Sequence, residues 1–208
     1  MAVSKTVAAD RLVAAVAAGL TLLGENRVQE AEAKAPRLAG ARWHLIGPLQ
    51  SNKARRAVEL FEAIESVDSI ELARRLDRLV GESSRGSAKL GVYLQVNVDR
   101  DAAKAGVGPK ELAAALPELT DLPNLSVLGL MTVGRLVGSA EEARPTFVRL
   151  RELSVSLRAG GHSIGGGLSM GMSDDYAVAV EEGATVIRVG RALFGRRSAG
   201  AGLDVPAR

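Results

Sequence analysis

Two short stretches near the end of the chain carry residue types suited to holding one phosphate between them. Ser169-Met170-Gly171-Met172-Ser173 ends in a hydroxyl residue followed by Asp174, Asp175 and an apolar run, so Ser173 reads as a helix N-cap. Backbone N–H groups at such a turn lack partners within the helix and suit an anion. Arg188-Val189-Gly190-Arg191 follows the β-branched run Thr185 to Ile187, which puts Gly190 just past a strand, where backbone can approach a ligand closely. Spacing alone equally allows two ordinary β-to-α turns. At the other end, Lys5 emerges from the strand-like Met1-Ala2-Val3-Ser4. An amine partly desolvated by such walls is nucleophilic and suits Schiff-base chemistry, although a solvated lysine at a strand end fits the same residues.

Composition says what scaffold must position these groups. A length of 208 residues suits one domain with a substantial core. Hydrophobic residues make up 47% and aromatics only 3%, so the core is built mainly from Ala, Val, Leu and Ile, as is common in α/β layers. The formal charge is only +3, and with so few aromatics no nucleic-acid partner is expected. The absence of cysteine excludes disulfides, thiol catalysis and cysteine metal sites and fits a reducing, cytoplasmic setting; two histidines argue against a His-rich metal site. Leu12 to Leu23 is apolar enough to imitate a signal-peptide core, but Asp10 interrupts the basic region before it and no clean cleavage site follows. No apolar run reaches the ~20 residues that would span a bilayer, so no membrane partner is expected.

Short β-rich runs alternate with helical periodicity along the chain, the pattern of a parallel sheet with crossover helices. Strands are expected at Ala2 to Ser4, Leu20 to Leu23, Trp43 to Ile46, Ala63 to Val67, Leu90 to Val98, Val127 to Met131, Gly167 to Ser169 and Thr185 to Val189. Asp68-Ser69-Ile70-Glu71 resembles a capping box, Pro109 suits a first helical turn, and Ala143, Phe147, Leu150, Leu153 and Leu157 repeat at helical spacing as core. The expected division is a barrel over 1–197 and a small-residue tail over 198–208 that is mobile. In a β/α barrel, chemistry sits at the C-terminal ends of the strands. There the chain offers Lys5, Glu25, Asn26, His44, Gln95, Asn97 and Arg188, with Gln95 and Asn97 expected to alternate inward.

Taken together, Val3-Ser4-Lys5-Thr6, Gly24-Glu25-Asn26-Arg27-Val28-Gln29-Glu30 with Lys34, and Trp43-His44-Leu45-Ile46-Gly47-Pro48-Leu49-Gln50-Ser51-Asn52-Lys53 resemble one family. Leu94-Gln95-Val96-Asn97-Val98 with Lys104-Ala105-Gly106, Gly129-Leu130-Met131-Thr132, and the closing LSMGMS and IRVGRALFG continue the match. The chain is similar to the pyridoxal phosphate homeostasis proteins, also called proline synthetase co-transcribed homologues. The resemblance implies a single (β/α)8 TIM-type barrel of fold type III, similar to the N-terminal domain of alanine racemase, with pyridoxal 5′-phosphate (PLP) held as a Schiff base on Lys5. It implies that Ser169, Ser173, Gly190 and Arg191 form the phosphate region. Arg188 would then face the pyridine nitrogen, and Asn26, His44 and Asn97 would line the ring pocket. The family's N-terminal helix is missing ahead of Lys5, which reads as a truncated or late start, and Arg135 and Gly165 to Gly167 depart from the family pattern.

Plainer roles remain open for individual residues: His44 beside Trp43 as a core histidine, and Asn26 as a helix N-cap completed by Gln29. The function implied is a non-catalytic carrier that buffers PLP or delivers it to PLP-dependent apoenzymes, as a monomer or weak dimer. The alternatives are a PLP-dependent amino-acid racemase, which needs a base on each face of its substrate, and a phosphate-binding barrel enzyme unrelated to this cofactor.

Overall fold

The structure is a computed structural model that describes residues 1–135 and 137–195; the tail expected over 198–208 lies outside the described residues. Among the described residues, eight strands and eight α-helices alternate. They are β1 (Ala2–Val3), α1 (Ala9–Ala17), β2 (Leu22–Glu25), α2 (Val28–Lys34), β3 (Arg42–Leu45), α3 (Ala54–Leu60), β4 (Ala63–Val67), α4 (Ile70–Gly81), β5 (Leu90–Gln95), α5 (Pro109–Asp121), β6 (Leu125–Met131), α6 (Ala140–Ala159), β7 (Gly167–Met172), α7 (Tyr176–Glu181), β8 (Val186–Arg188) and α8 (Arg191–Phe194). The strands are parallel and lie in chain order from β1 to β8. Ala2 bridges Val189, the Val3 N–H donates to the Val189 carbonyl at 2.9 Å, and the Val189 N–H donates to the Met1 carbonyl at 3.1 Å, which closes the sheet on itself.

Enclosure by helices explains the composition. Every residue of β4 and β5 is buried, as expected of strands covered on both faces. On the outside, α4 buries Ala73, Leu76, Leu79 and Val80, while α6 buries Ala143, Phe147, Leu150 and Leu157. Helix α5 begins at Pro109, where the missing N–H leaves nothing unsatisfied.

Local boundaries differ from expectation where tertiary pairing overrides pattern. Strand β2 starts at Leu22 rather than Leu20, because Gly19 (φ 93°) ends the α1 turn and the Leu20 N–H is spent on the Ala15 carbonyl. Strand β5 stops at Gln95, since the Asn97 N–H donates to the Val107 carbonyl and the chain turns away from the ladder. The cap of α4 is Ser69, whose Oγ accepts the Leu72 N–H at 3.2 Å, and not Asp68. No helix among the described residues is long and apolar enough to cross a membrane.

The Gly165 to Gly167 run has a packing cause. A Cβ on Gly165 would stand 2.3 Å from the Leu128 carbonyl oxygen, and one on Gly167 would stand 2.7 Å from it. Gly129, the register partner of Gly167, is tighter still, with a Cβ position 1.9 Å from the Gly167 oxygen. The β6–β7 seam therefore closes only between glycines. Gly129→Ala is expected to destabilise the fold by about 3 kcal/mol, lowering Tm by roughly 6–12 °C in a thermal melt, because overpacked backbone cannot relax within a closed barrel. A shift under about 2 °C would contradict this reading of the seam.

Candidate functional site

A cleft of about 1260 Å3 opens at the C-terminal ends of the strands. Its wall includes Lys5 after β1, Asn26 after β2, Ile46 after β3, Val133 and Arg135 after β6, Met172 to Asp175 after β7, and Arg188, Gly190 and Arg191 at the end of β8. Six of the nine residues singled out in the sequence, Lys5, Asn26, Ser173, Arg188, Gly190 and Arg191, meet there. His44, Asn97 and Ser169 are absent from the cleft wall.

Lys5 is held by a buried ionic knot. Glu25, fully buried at the end of β2, accepts the Lys34 ammonium at 2.5 Å and the Ser4 hydroxyl at 2.9 Å on Oε1, and the Asn26 N–H at 3.1 Å on Oε2. Lys34 also donates to the Ser4 carbonyl at 2.8 Å, so the residue before Lys5 is gripped through side chain and backbone. On the other side Thr6 has φ 63°, a conformation that β-branched residues rarely adopt and that persists only when the surroundings impose it. The Thr6 N–H donates to Glu30 at 3.3 Å. The Lys5 amine itself makes no hydrogen bond or ion pair among the described residues. It is half-buried on the cleft wall, free to act as a nucleophile.

Across the mouth, the turn after β8 offers donors. The N–H groups of Gly190 and Arg191 make no hydrogen bond among the described residues, while the Ser173 hydroxyl accepts the Ala192 N–H at 3.4 Å. Ser173 is thus not the N-cap of α7. That position belongs to Asp175, whose side chain turns back to accept the Met172 N–H at 2.6 Å instead of capping the helix. Asp174 pairs with Arg191. Asn26 is likewise no cap, since Arg27 precedes α2 and Asn26 is left on the cleft wall.

Beneath the mouth lies a buried polar layer that joins His44, Ser169 and Arg188 through a carboxylate that the sequence did not single out. Glu65, fully buried in β4, receives His44 Nδ1 at 2.7 Å on Oε1 and the Ser169 hydroxyl at 2.5 Å on Oε2. Ser169 Oγ accepts from Arg188 at 2.8 Å, and the same guanidinium donates to the Thr132 carbonyl at 2.7 Å. Burial pushes the Arg188 guanidinium below its ordinary pKa, and the charges of Glu65 and Asp175 act against that. His44 is thus buried with its Nδ1 on Glu65, the placement that a core histidine would also take. Asn97 caps its own loop: its amide donates to the Asp101 carbonyl at 2.8 Å and accepts the Asp101 N–H at 3.0 Å, so it does not point into the barrel.

In chemical terms the cleft offers a free amine, two unpaired N–H groups beside a hydroxyl, and a guanidinium with only two of its five N–H bonds engaged among the described residues. That set suits a carbonyl, an anion and a hydrogen-bond acceptor placed together on one molecule. No group of three or more His, Cys, Asp or Glu side chains that could hold a metal ion occurs among the described residues.

Known proteins match this frame. The family model described as "Alanine racemase, N-terminal domain" matches residues 1–198. A pyridoxal phosphate homeostasis protein of Pseudomonas aeruginosa is 44% identical over 203 residues, covering 97% of this chain and 85% of that protein. One from Synechocystis is 42% identical over 200 residues, covering 95% and 90%. PipY of Synechococcus elongatus, whose structure was solved with PLP bound, superposes with a TM-score of 0.87 at 45% identity, covering 94% of this chain and 91% of that one. Alanine racemase of Clostridium difficile, at 16% identity and a TM-score of 0.70, shares the fold over 88% of this chain but only 50% of its own. By the family match and by identity over nearly its whole length, the chain belongs to the alanine racemase N-terminal domain family and, within it, to the pyridoxal phosphate homeostasis proteins.

Proposed function

We propose that this protein binds PLP at the barrel mouth, holds it reversibly on Lys5 and so buffers the cofactor or delivers it to PLP-dependent apoenzymes. The observation that carries the reading is the meeting, in one cleft, of the free Lys5 amine, the unpaired Gly190 and Arg191 N–H groups and the partly engaged Arg188 guanidinium. They correspond to the aldehyde, the phosphate and the ring nitrogen of that cofactor. When bound, PLP supplies an aldehyde that condenses reversibly with a primary amine and a ring able to withdraw electrons. The names of the curated relatives and the ligand of PipY support the assignment.

The chain's own residues make holding, rather than turnover, the expected task. The Glu25–Lys34 knot fixes Ser4 and thereby the direction in which Lys5 leaves the strand. Arg188 remains protonated and can only donate, so a ring nitrogen facing it stays unprotonated and the electron-withdrawing power of the ring is weak. Ser173, Gly190 and Arg191 hold the phosphate, with Asn26 on the adjoining wall. Ser169 and His44 act from beneath through Glu65, and Asn97 acts only by shaping its loop. At about 1260 Å3 the cleft exceeds the ~300–1,000 Å3 of most small-ligand sites, which leaves an open path for exchange. We assign this role to a single barrel domain over 1–197, working in the cytoplasm as a monomer or weak dimer.

Racemisation fits less well. It needs an acid/base group opposite Lys5, and neither tyrosine lines the cleft. Tyr93 is buried in β5, where burial and then the charge of Glu65 push its hydroxyl above the ordinary tyrosine range; Tyr176 opens α7 at the surface. The cleft carboxylates are engaged, Asp174 by Arg191 and Asp175 by the Met172 N–H.

Added PLP is expected to produce a visible absorption band, and borohydride reduction to fix the label on the peptide containing Lys5. Lys5→Ala should abolish both while leaving the melting curve of the ligand-free protein nearly unchanged; a band that survives in this variant overturns the assignment. With L- or D-alanine, the PLP-loaded protein is expected to give no interconversion above the rate of free PLP, measured by chiral chromatography. Interconversion that disappears in Lys5→Ala would establish the racemase instead.

A further inference from the structure

Glu65 is the carboxylate at the centre of the buried layer beneath the mouth, and the proposed use of the cleft leaves it without a direct task. Three side chains depend on its state. Arg188 cannot accept a hydrogen bond, so the Ser169 hydroxyl must accept from Arg188 and has only its own proton left to give. That proton goes to Glu65 Oε2 at 2.5 Å, while Oε1 takes His44 at 2.7 Å. The carboxylate thus fixes the hydroxyl rotor, the rotor fixes one edge of the guanidinium, and the Thr132 carbonyl fixes a second contact at 2.7 Å. What remains of the guanidinium borders the cleft.

We propose that Glu65 is a positioning residue for the pyridine nitrogen of bound PLP, acting through Ser169 on Arg188. The inference rests on the binding reading above. It adds that recognition of the ring nitrogen, as distinct from the aldehyde or the phosphate, depends on a carboxylate that never touches the ligand. The electrostatics agree, since the Glu65 charge opposes the effect of burial on Arg188. With that charge removed, the guanidinium keeps only the weaker influence of Asp175 and is drawn toward water at the mouth, away from the ring.

A merely structural Glu65 would affect all ligands alike, so the test compares two. One is PLP; the other is its carbocyclic analogue, with the ring nitrogen replaced by C–H and the aldehyde and phosphate intact. Kd for each is measured by absorbance titration on the intact protein and on Glu65→Gln, which keeps the shape but removes the charge and turns one of the two acceptor oxygens into an amide that can only donate. The unsubstituted protein is expected to prefer PLP by about tenfold, the worth of one charge-assisted hydrogen bond. Glu65→Gln should raise Kd for PLP about tenfold and leave that for the analogue within about twofold, so that the preference collapses. Ser169→Ala removes the link without touching a charge and should narrow the preference in the same direction, which keeps the proposal testable if Glu65→Gln fails to fold. Equal weakening toward both ligands, or a preference that survives in either variant, overturns the proposal. Failure of the unsubstituted protein to bind either compound overturns the binding reading itself, and the inference with it.

Discussion

The structure depends on placing one carboxylate and one guanidinium inside the same closed barrel. Both Glu65 and Arg188 are removed from water, and a lone ion in that position would cost several kcal/mol. Neither touches the other directly; Ser169 stands between them, donating to one and accepting from the other. The hydroxyl lets opposite charges compensate across the barrel without drawing Arg188 down from the mouth. The strand register then has a chemical meaning. β4, β7 and β8 bring residues 65, 169 and 188 into one layer, and the ladder register shifts beside the first two, between Ile64 and Val67 and between Ser169 and Met172.

Above that layer the mouth is divided between two kinds of holding. Around Lys5 the constraint is tight: a buried carboxylate and a lysine clamp Ser4 on one side, and a left-handed Thr6 follows on the other. At the β8 turn the constraint is looser, with free Gly190 and Arg191 N–H groups among the described residues beside the Asp174–Arg191 pair and the Ser173 hydroxyl. A rigid nucleophile opposite unsatisfied donors is the arrangement expected of a site built to capture its ligand at one fixed point.

Most of the architecture was legible in sequence because parallel strands buried on both faces read as apolar runs, and the eight runs fall in the order in which they pair. The misplacements have local causes. Leu20 belongs to the exit turn of α1 although it adjoins the β2 run, and Val96 to Val98 look like strand although Val107 has taken over the pairing. Six of the expected residues share the cleft because they end or follow strands, where barrel chemistry gathers. Glu65 was not readable in the same way. Its partner Ser169 lies 104 residues away, and nothing local in Ala63 to Val67 names it. The available signal was an acidic residue in the middle of a strand flanked by apolar residues, which in an enclosed barrel must have a partner. Asn97 failed for the opposite reason: its alternation with Gln95 suggested an inward side chain, but the ladder had already ended.

The closing seam of the barrel gives these observations a mechanical side. Between β8 and β1 the chain is joined by the N–H bonds of Val3 and Val189 and by the terminal amine of Met1 on the Ile187 carbonyl, against the long ladder of Leu90 to Gln95 along β6. Opening free energy scales with the bonds and burial given up, so this seam parts more readily than the β5–β6 ladder. Lys5 stands on one bank of it and Gly190 with Arg191 on the other. Any breathing of the seam therefore lengthens the span between the nucleophile and the anion donors, and the same few backbone bonds that complete the barrel also set how long a ligand gripped at both ends can stay.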